Sequence, residues 1–115
     1  MVVHRSKRVA DCAFVRIEDI VLPWMRMFGW DKDVALVITG LAAYDVHTLI
    51  AVLDRVVGDA NVTPEMIGRD VLVVKCIDYA DALRRVPDGH ECLPPMMVFV
   101  DGVVVWRGGR CWNAL

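Results

Sequence analysis

Cysteine is the residue type in this sequence with the widest capacity for chemistry, because its thiolate can act as a nucleophile, a redox centre or a metal ligand. The chain has four cysteines, and no two of them form a Cys-x-x-Cys pair. His90 lies near one of them, but the spacing of His and Cys matches none of the usual zinc patterns. We therefore predict neither a metal site nor a cofactor. The cysteines are Cys12, Cys76, Cys92 and Cys111.

Length and composition limit the class of protein. A chain of 115 residues forms a single domain, 1–115, that can bury a core without metals or disulfides. The formal net charge of -2 gives no basic field, so direct binding to nucleic acid is not expected. Every apolar run is far shorter than the ~20 residues that span a bilayer, so no transmembrane segment is expected. An apolar content of 57% predicts that another molecule covers part of the surface.

Scattered cysteines and the lack of an apolar signal sequence predict a reducing, intracellular compartment. Residues 1–13 are interpreted as a basic N-terminal extension, because the first ten residues carry basic side chains and no acidic one. Two explanations stay open for this charge pattern. It suits a solvated terminus, and it is also typical of a mitochondrial transit peptide.

The hydrophobic pattern predicts alternating strands and helices. Apolar residues at helical spacing over 46–57 give the best-defined helix, and Asp101-Gly102 between two apolar runs is a strong hairpin signal. Alternation of strands and helices predicts parallel pairing early in the chain, and the tight turn forces an antiparallel pair at its end. The expected strands are 14–17, 34–38, 71–77, 96–100 and 103–107, and the expected helices are 23–28, 46–57 and 79–86.

Two segments carry a resemblance to a known family. Val34 to Val57 can be laid without a gap on the strand, active-site loop and second helix of the thioredoxin-like superfamily. Leu93 to Gly102, LPPMMVFVDG, is similar to the family's cis-proline loop and following strand, and Pro94 falls on the cis-proline. The resemblance implies an α/β, thioredoxin-like fold with a mixed sheet, a C-terminal antiparallel β-hairpin and helices on both faces.

The same alignment implies that the redox site is absent. The family's two motif cysteines and the residues between them fall on Ala43, Tyr44, Asp45 and Val46, so thiol exchange at this position is excluded. The resemblance leaves Asp45 at the start of the second helix, where a carboxylate caps backbone N–H groups far more often than it does acid-base chemistry.

The family's final helix is also expected to be missing, since 108–115 is a short tail that contains Gly108 and Gly109. The last strand would then be an apolar edge without its cover, and such edges pair with other chains unless they are protected. We expect partner contacts there, at Val103, Val105, Trp106 and Trp112. The partner would be another protein subunit or a second copy of this chain.

The hairpin register offers one candidate disulfide. With Asp101-Gly102 as a two-residue turn, Val100 pairs with Val103, and the same count places Cys92 opposite Cys111. Two reduced thiols are the simpler interpretation in a reducing compartment.

These observations favour a non-catalytic accessory or structural subunit of a larger protein assembly. The resemblance makes a mitochondrial complex one candidate, because such complexes contain redox-inactive members of the superfamily. Two alternatives stay open. One is an atypical thiol-disulfide redox protein that uses Cys92 and Cys111, and the other is a peptide-binding module around Tyr44 and Pro94.

Overall fold

The computed structural model describes residues 14–58 and 63–109. It shows an α/β domain in which three helices flank a five-stranded antiparallel sheet with strand order β2-β3-β1-β4-β5. No helix in these ranges is long and apolar enough to cross a membrane. The elements in chain order are α1 (Phe14–Phe28), β1 (Val34–Ile38), α2 (Val46–Val57), β2 (Thr63–Ile67), β3 (Val71–Cys76), α3 (Tyr79–Arg84), β4 (Met96–Val100) and β5 (Val103–Gly108).

The expected first strand at 14–17 is wrong, because this segment begins α1. Ile17, Val21 and Met25 recur every four residues and are buried, so they form one apolar stripe on the sheet. The helix continues through Pro23, an exposed position. It ends where Gly29 adopts a positive φ of 76°, a backbone conformation that closes helices and favours glycine.

The expected mixed sheet is also wrong, because every strand pair is antiparallel. Strand β2, which lies in a segment expected to be a loop, explains the difference. After α2 the chain runs along β2 and then reverses through the turn 68–70 into β3. It is β3, now running the opposite way, that pairs with β1, so Val34 lies opposite Cys76.

Helices cover both faces of the sheet, as expected. Alternate residues of the central strand β1 point to opposite faces: Ala35 and Val37 pack under α1, and Leu36 and Ile38 pack under α2 and α3. All four are buried. The core is therefore two apolar layers on either side of β1, β3 and β4.

Strands β4 and β5 form the predicted hairpin. Asp101 and Gly102 have φ of 52° and 78°, the positive values that a type I′ turn requires at both central residues. Val100 pairs with Val103 and Phe99 with Val104, but Val98 then pairs with Trp106. Val105 is therefore an extra residue, a β-bulge that shifts the rest of the ladder by one.

Candidate functional site

The segment aligned with the redox motif is a loop that leads into α2. Ala43 ends a 3₁₀ turn, and Asp45 is the N-cap of the helix, where its carboxylate accepts a hydrogen bond from the Thr48 N–H at 2.8 Å. That bond lowers the pKa of Asp45 from its ordinary value. Asp45 therefore has a structural role as the N-cap of α2. The side chains of Ala43, Asp45 and Val46 are exposed, and that of Tyr44 is half-buried.

A groove of about 250 Å³ opens beside this loop. Its walls are mostly apolar, and Arg69 contributes the one charged side chain among the lining residues. The Asp70 carboxylate accepts the Ala42 N–H at 3.0 Å and thereby fixes the loop against the turn between β2 and β3. The groove lies between α2 and the end of β2. It is lined by Leu41, Ala42, Tyr44, Leu49, Leu53, Met66 and Arg69.

Pro94 does not have the cis peptide bond that the resemblance implies, since all described peptide bonds are trans. Its ring instead lies against Gly40, where an added Cβ would sit 2.5 Å from Pro94 Cγ. An added Cβ on Gly109 would likewise lie 2.5 Å from the Pro94 carbonyl oxygen. Pro94 is thus held between two glycines, and the carbonyl of the following Pro95 accepts the Thr39 hydroxyl at 2.8 Å.

The register that suggested the disulfide is not the observed one. Because of the bulge at Val105, Met96 pairs with Gly108 instead of Arg107, so the count that set Cys92 opposite Cys111 fails by one residue. Cys92 is exposed in a 3₁₀ turn before β4, outside the ladder. Cys111 lies outside the described residues, so the disulfide stays a prediction.

Cys76 lies in a strongly perturbed environment. It is buried at the end of β3. Burial, reinforced by the nearby Asp81 carboxylate, raises the pKa of Cys76 to about 11. A thiol with so high a pKa is protonated at neutral pH and is a poor nucleophile, so Cys76 is suited to packing. Among the described residues there is also no group of three His, Cys, Asp or Glu side chains that could hold a metal ion.

The expected partner-contact residues lie on an edge strand of the sheet. Val103 and Val105 on β5 are 61% and 49% exposed. Trp106 is half-buried, with its ring 5.5 Å from that of His90. Trp112 lies outside the described residues. Within the described part of the chain β5 is the last strand of the sheet, and it carries two exposed valines, an arrangement that favours pairing with another strand.

The opposite edge strand, β2, is built differently. It contains Pro64, which has no N–H to donate to a further strand, and exposed Glu65. Proline and charged side chains are the usual protections of an edge strand. β2 thus carries both of these protections, whereas β5 combines two exposed valines with the bulge at Val105 and the charged side chain of Arg107.

Sequence reasoning missed a buried ion pair below α2. The Arg85 side chain is 2% exposed, and its guanidinium donates to Asp81 Oδ2 at 3.2 Å and to the Val56 carbonyl at 2.9 Å. Burial raises the pKa of Asp81, but bonds from the Ile77 N–H, Arg85 and Arg84 outweigh it and hold the pKa below its usual value. The signal available in the sequence was the spacing of Asp81 and Arg85, because residues four apart lie on the same side of a helix.

The comparisons with known proteins identify no relative. No family model, no curated protein and no solved structure matches the chain.

Proposed function

We propose that this chain is a non-catalytic accessory subunit of a larger protein assembly, docked through the edge strand β5. The observation that carries the proposal is the exposure of Val103 and Val105, at 61% and 49%, on the edge strand β5. A partner strand added there would bury both valines and satisfy the outward backbone groups of β5. Addition of a strand to an open sheet edge is a common mode of protein recognition.

The absence of a thiol at the start of α2 supports a non-catalytic role. Ala43 and Val46 stand where the thioredoxin-like family would carry its two motif cysteines, and Asp45 is occupied as a helix cap. The order of strand, loop, helix and final hairpin supports a distant relation to that family. The antiparallel direction of β3 relative to β1 counts against it.

A native mass measurement tests the proposal. The full chain, tagged and purified under mild conditions from its own cells, is expected to have the mass of a complex. A Val105→Lys variant should be recovered largely as the single chain, because a lysine charge cannot be buried at a strand interface without a partner. Ile50→Lys on α2 is the matched control, since Ile50 is similarly exposed at 53% and lies outside both β5 and the groove. It should leave the complex intact.

The proposal fails if wild-type protein is recovered only as the single chain. It also fails if Val105→Lys and Ile50→Lys lower the yield of the complex equally, because the effect would then not belong to β5. Identification of the co-purified subunits, together with cell fractionation, tests the mitochondrial assignment.

A second candidate function is binding of an extended peptide in the groove beside Tyr44. The observation that favours it is the volume of about 250 Å³ with mainly apolar walls, enough for one large apolar side chain. A Tyr44→Ala variant should weaken binding of a labelled peptide library, whereas Val105→Lys should not. If both variants bind like wild type, this second function is rejected.

A further inference from the structure

We infer that α1 carries a binding surface for anionic phospholipid, so that the chain lies on a membrane surface without crossing the bilayer. The surface is a second apolar stripe of the helix, separate from the stripe that packs on the sheet. It consists of Ile20, Trp24, Met27 and Phe28 and is termed the outer stripe. The inference concerns a different element from the proposed docking strand β5 and does not depend on it.

The outer stripe has the spacing of one side of a helix. Its members fall at positions i, i+4, i+7 and i+8, which span an arc of about 100° at 3.6 residues per turn. Ile20, Met27 and Phe28 are 48%, 72% and 50% exposed, and Trp24 is half-buried. A surface helix normally turns polar side chains to water, so this second apolar stripe favours contact with an apolar ligand.

The other flank of α1 faces the hairpin. Glu18 accepts a hydrogen bond from Arg107 of β5 at 3.0 Å. A Cβ added to Gly102 in the hairpin turn would lie 3.8 Å from Cδ2 of Leu22. Two residues along a helix correspond to a rotation of about 200°, so Ile20 lies on the other side of α1 from both Glu18 and Leu22. The outer stripe is therefore on the flank that the hairpin does not contact.

Aromatic rings join the outer stripe to the core. The ring centroids of Trp24 and Phe28 are 4.6 Å apart, and that of Trp24 is 5.5 Å from the ring of Trp30, which is buried. These contacts hold the exposed rings in place on the surface. Tryptophan is enriched where membranes meet water, because its ring is apolar and its N–H is polar. The outer stripe thus has residue types that are typical of helices at a membrane surface.

Charge is the observation that selects the class of lipid. Residues 1–28, which end with α1, carry five basic and three acidic side chains, whereas 29–115 carry eight basic and twelve acidic ones. The outer stripe therefore belongs to the positive part of a chain whose net charge is -2. Arg5, Lys7 and Arg8 precede α1 in the sequence. Basic residues next to an apolar helix stripe are the combination that binds anionic membrane surfaces.

The mode of binding follows from the length and shape of α1. The helix has 15 residues, and none of the helices within 14–58 and 63–109 is long and apolar enough to cross a membrane. A short amphipathic helix binds in the plane of the membrane surface, with its apolar side chains among the acyl chains and its basic neighbours at the headgroups. Such binding depends on apolar area and charge instead of a shaped pocket, which suits the exposed side of a single helix.

Co-sedimentation of the purified full chain with vesicles tests the inference. One set of vesicles is phosphatidylcholine alone, and the other is an equimolar mixture with phosphatidylserine. Wild type should bind the mixed vesicles about tenfold or more tightly than phosphatidylcholine, and added salt should weaken that binding. Met27→Glu should weaken binding to the mixed vesicles about tenfold or more, because a charge replaces the most exposed side chain of the outer stripe.

The matched control is Ile77→Glu. Ile77 is also 72% exposed but lies between β3 and α3, so this variant makes the same change in net charge away from the outer stripe. It should bind the mixed vesicles within about twofold of wild type, because salt screens a distant charge. Replacement of Arg5, Lys7 and Arg8 together by glutamine should weaken binding to the mixed vesicles about tenfold or more and leave binding to phosphatidylcholine unchanged.

Wild type that fails to bind the mixed vesicles overturns the inference, and so does equal binding by Met27→Glu and Ile77→Glu. Undiminished binding by the glutamine variant overturns it as well, because the ligand would then not be selected by charge. If Met27→Glu instead disrupts a complex from cells and leaves vesicle binding unchanged, the outer stripe contacts a protein and the inference is wrong. Val105→Lys should bind vesicles like wild type, so the outcomes at α1 and at β5 are read separately.

Discussion

Replacement of Arg85 by methionine removes the cation from an enclosed ion pair and keeps most of the side-chain volume. Arg85 is 2% exposed and donates to Asp81 and to the carbonyl of Val56, so it joins α3 to the last turn of α2. In the Arg85→Met variant the Asp81 carboxylate stays buried with one cation fewer. The Val56 carbonyl also loses a charged donor.

The cost follows from burial. Removal of one partner from a buried ion pair typically lowers the free energy of unfolding by about 3–5 kcal/mol. Arg84 still contacts the Asp81 carboxylate from the exposed side, with 63% of its side chain in solvent, so we expect the lower end, about 3 kcal/mol. Arg84→Met is the matched control on the same carboxylate. It should cost less than about 1 kcal/mol, as exposed pairs do.

Urea unfolding followed by tryptophan fluorescence measures both variants. With a slope of about 1–3 kcal/mol per molar urea for a small domain, the Arg85→Met midpoint should fall by roughly 1–3 M. Asp81→Asn added to Arg85→Met should recover part of the loss, because the buried charge without its partner is gone while the Ile77 N–H keeps an acceptor. Equal midpoints for Arg85→Met and Arg84→Met would refute the argument.

Three further predictions concern the loops and the buried thiol. Asp45→Ala should lower the melting temperature at neutral pH, because the Thr48 N–H loses the carboxylate that accepts its hydrogen bond. This hydrogen bond lowers the pKa of Asp45, so the stability that it contributes is present above the ordinary aspartate pKa and is lost as the pH falls below it. The melting temperatures of wild type and variant should therefore converge in acid. Cys76 has a pKa raised to about 11, so its contribution to stability is present below the unfolded thiol pKa and lost as pH rises toward 11. Melting curves between pH 8 and 11, compared with a Cys76→Ala variant, should show the steeper fall in wild type; parallel curves would contradict it. Gly40→Ala should destabilise more than Gly29→Ala in chemical unfolding, because both have positive φ but only at Gly40 would the new methyl group meet Pro94, at 2.5 Å.

Local signals that act over one element could be predicted from the sequence. The unbroken apolar run of β1, the helical spacing of α2 and the Asp101-Gly102 turn were each found where the structure has them. These signals are strong because each depends only on residues that are close in the sequence. The apolar pattern lies within one element, and the positive φ values are required within one turn.

Features that depend on distant residues could not be predicted. The β-branched start of α1 suits a strand by itself, and only the buried spacing of Ile17, Val21 and Met25 across Pro23 makes it a helix. Strand β2 contains Pro64 and Glu65, which are poor strand formers, and it exists because β3 is available to pair with it. Without β2, the direction of β3 cannot be deduced.

The candidate site was predicted only in part. The exposed edge at Val103 and Val105 was expected from its apolar composition and its place at the end of the chain order. The bulge at Val105 was not expected, because one extra residue in an apolar run does not change the hydrophobic pattern of the sequence. The bulge shifts the pairing by one residue, so the register that linked Cys92 to Cys111 is not the observed one.

Amide hydrogen exchange on β5 tests the central claim most directly. Complex isolated from cells and the Val105→Lys protein would be compared by mass spectrometry, with peptides from β2 as an internal control. Docking at β5 predicts that peptides covering 103–108 exchange much more slowly in the complex, while those covering 63–67 exchange alike in both samples. Equal exchange of the β5 peptides in the two samples would contradict the account.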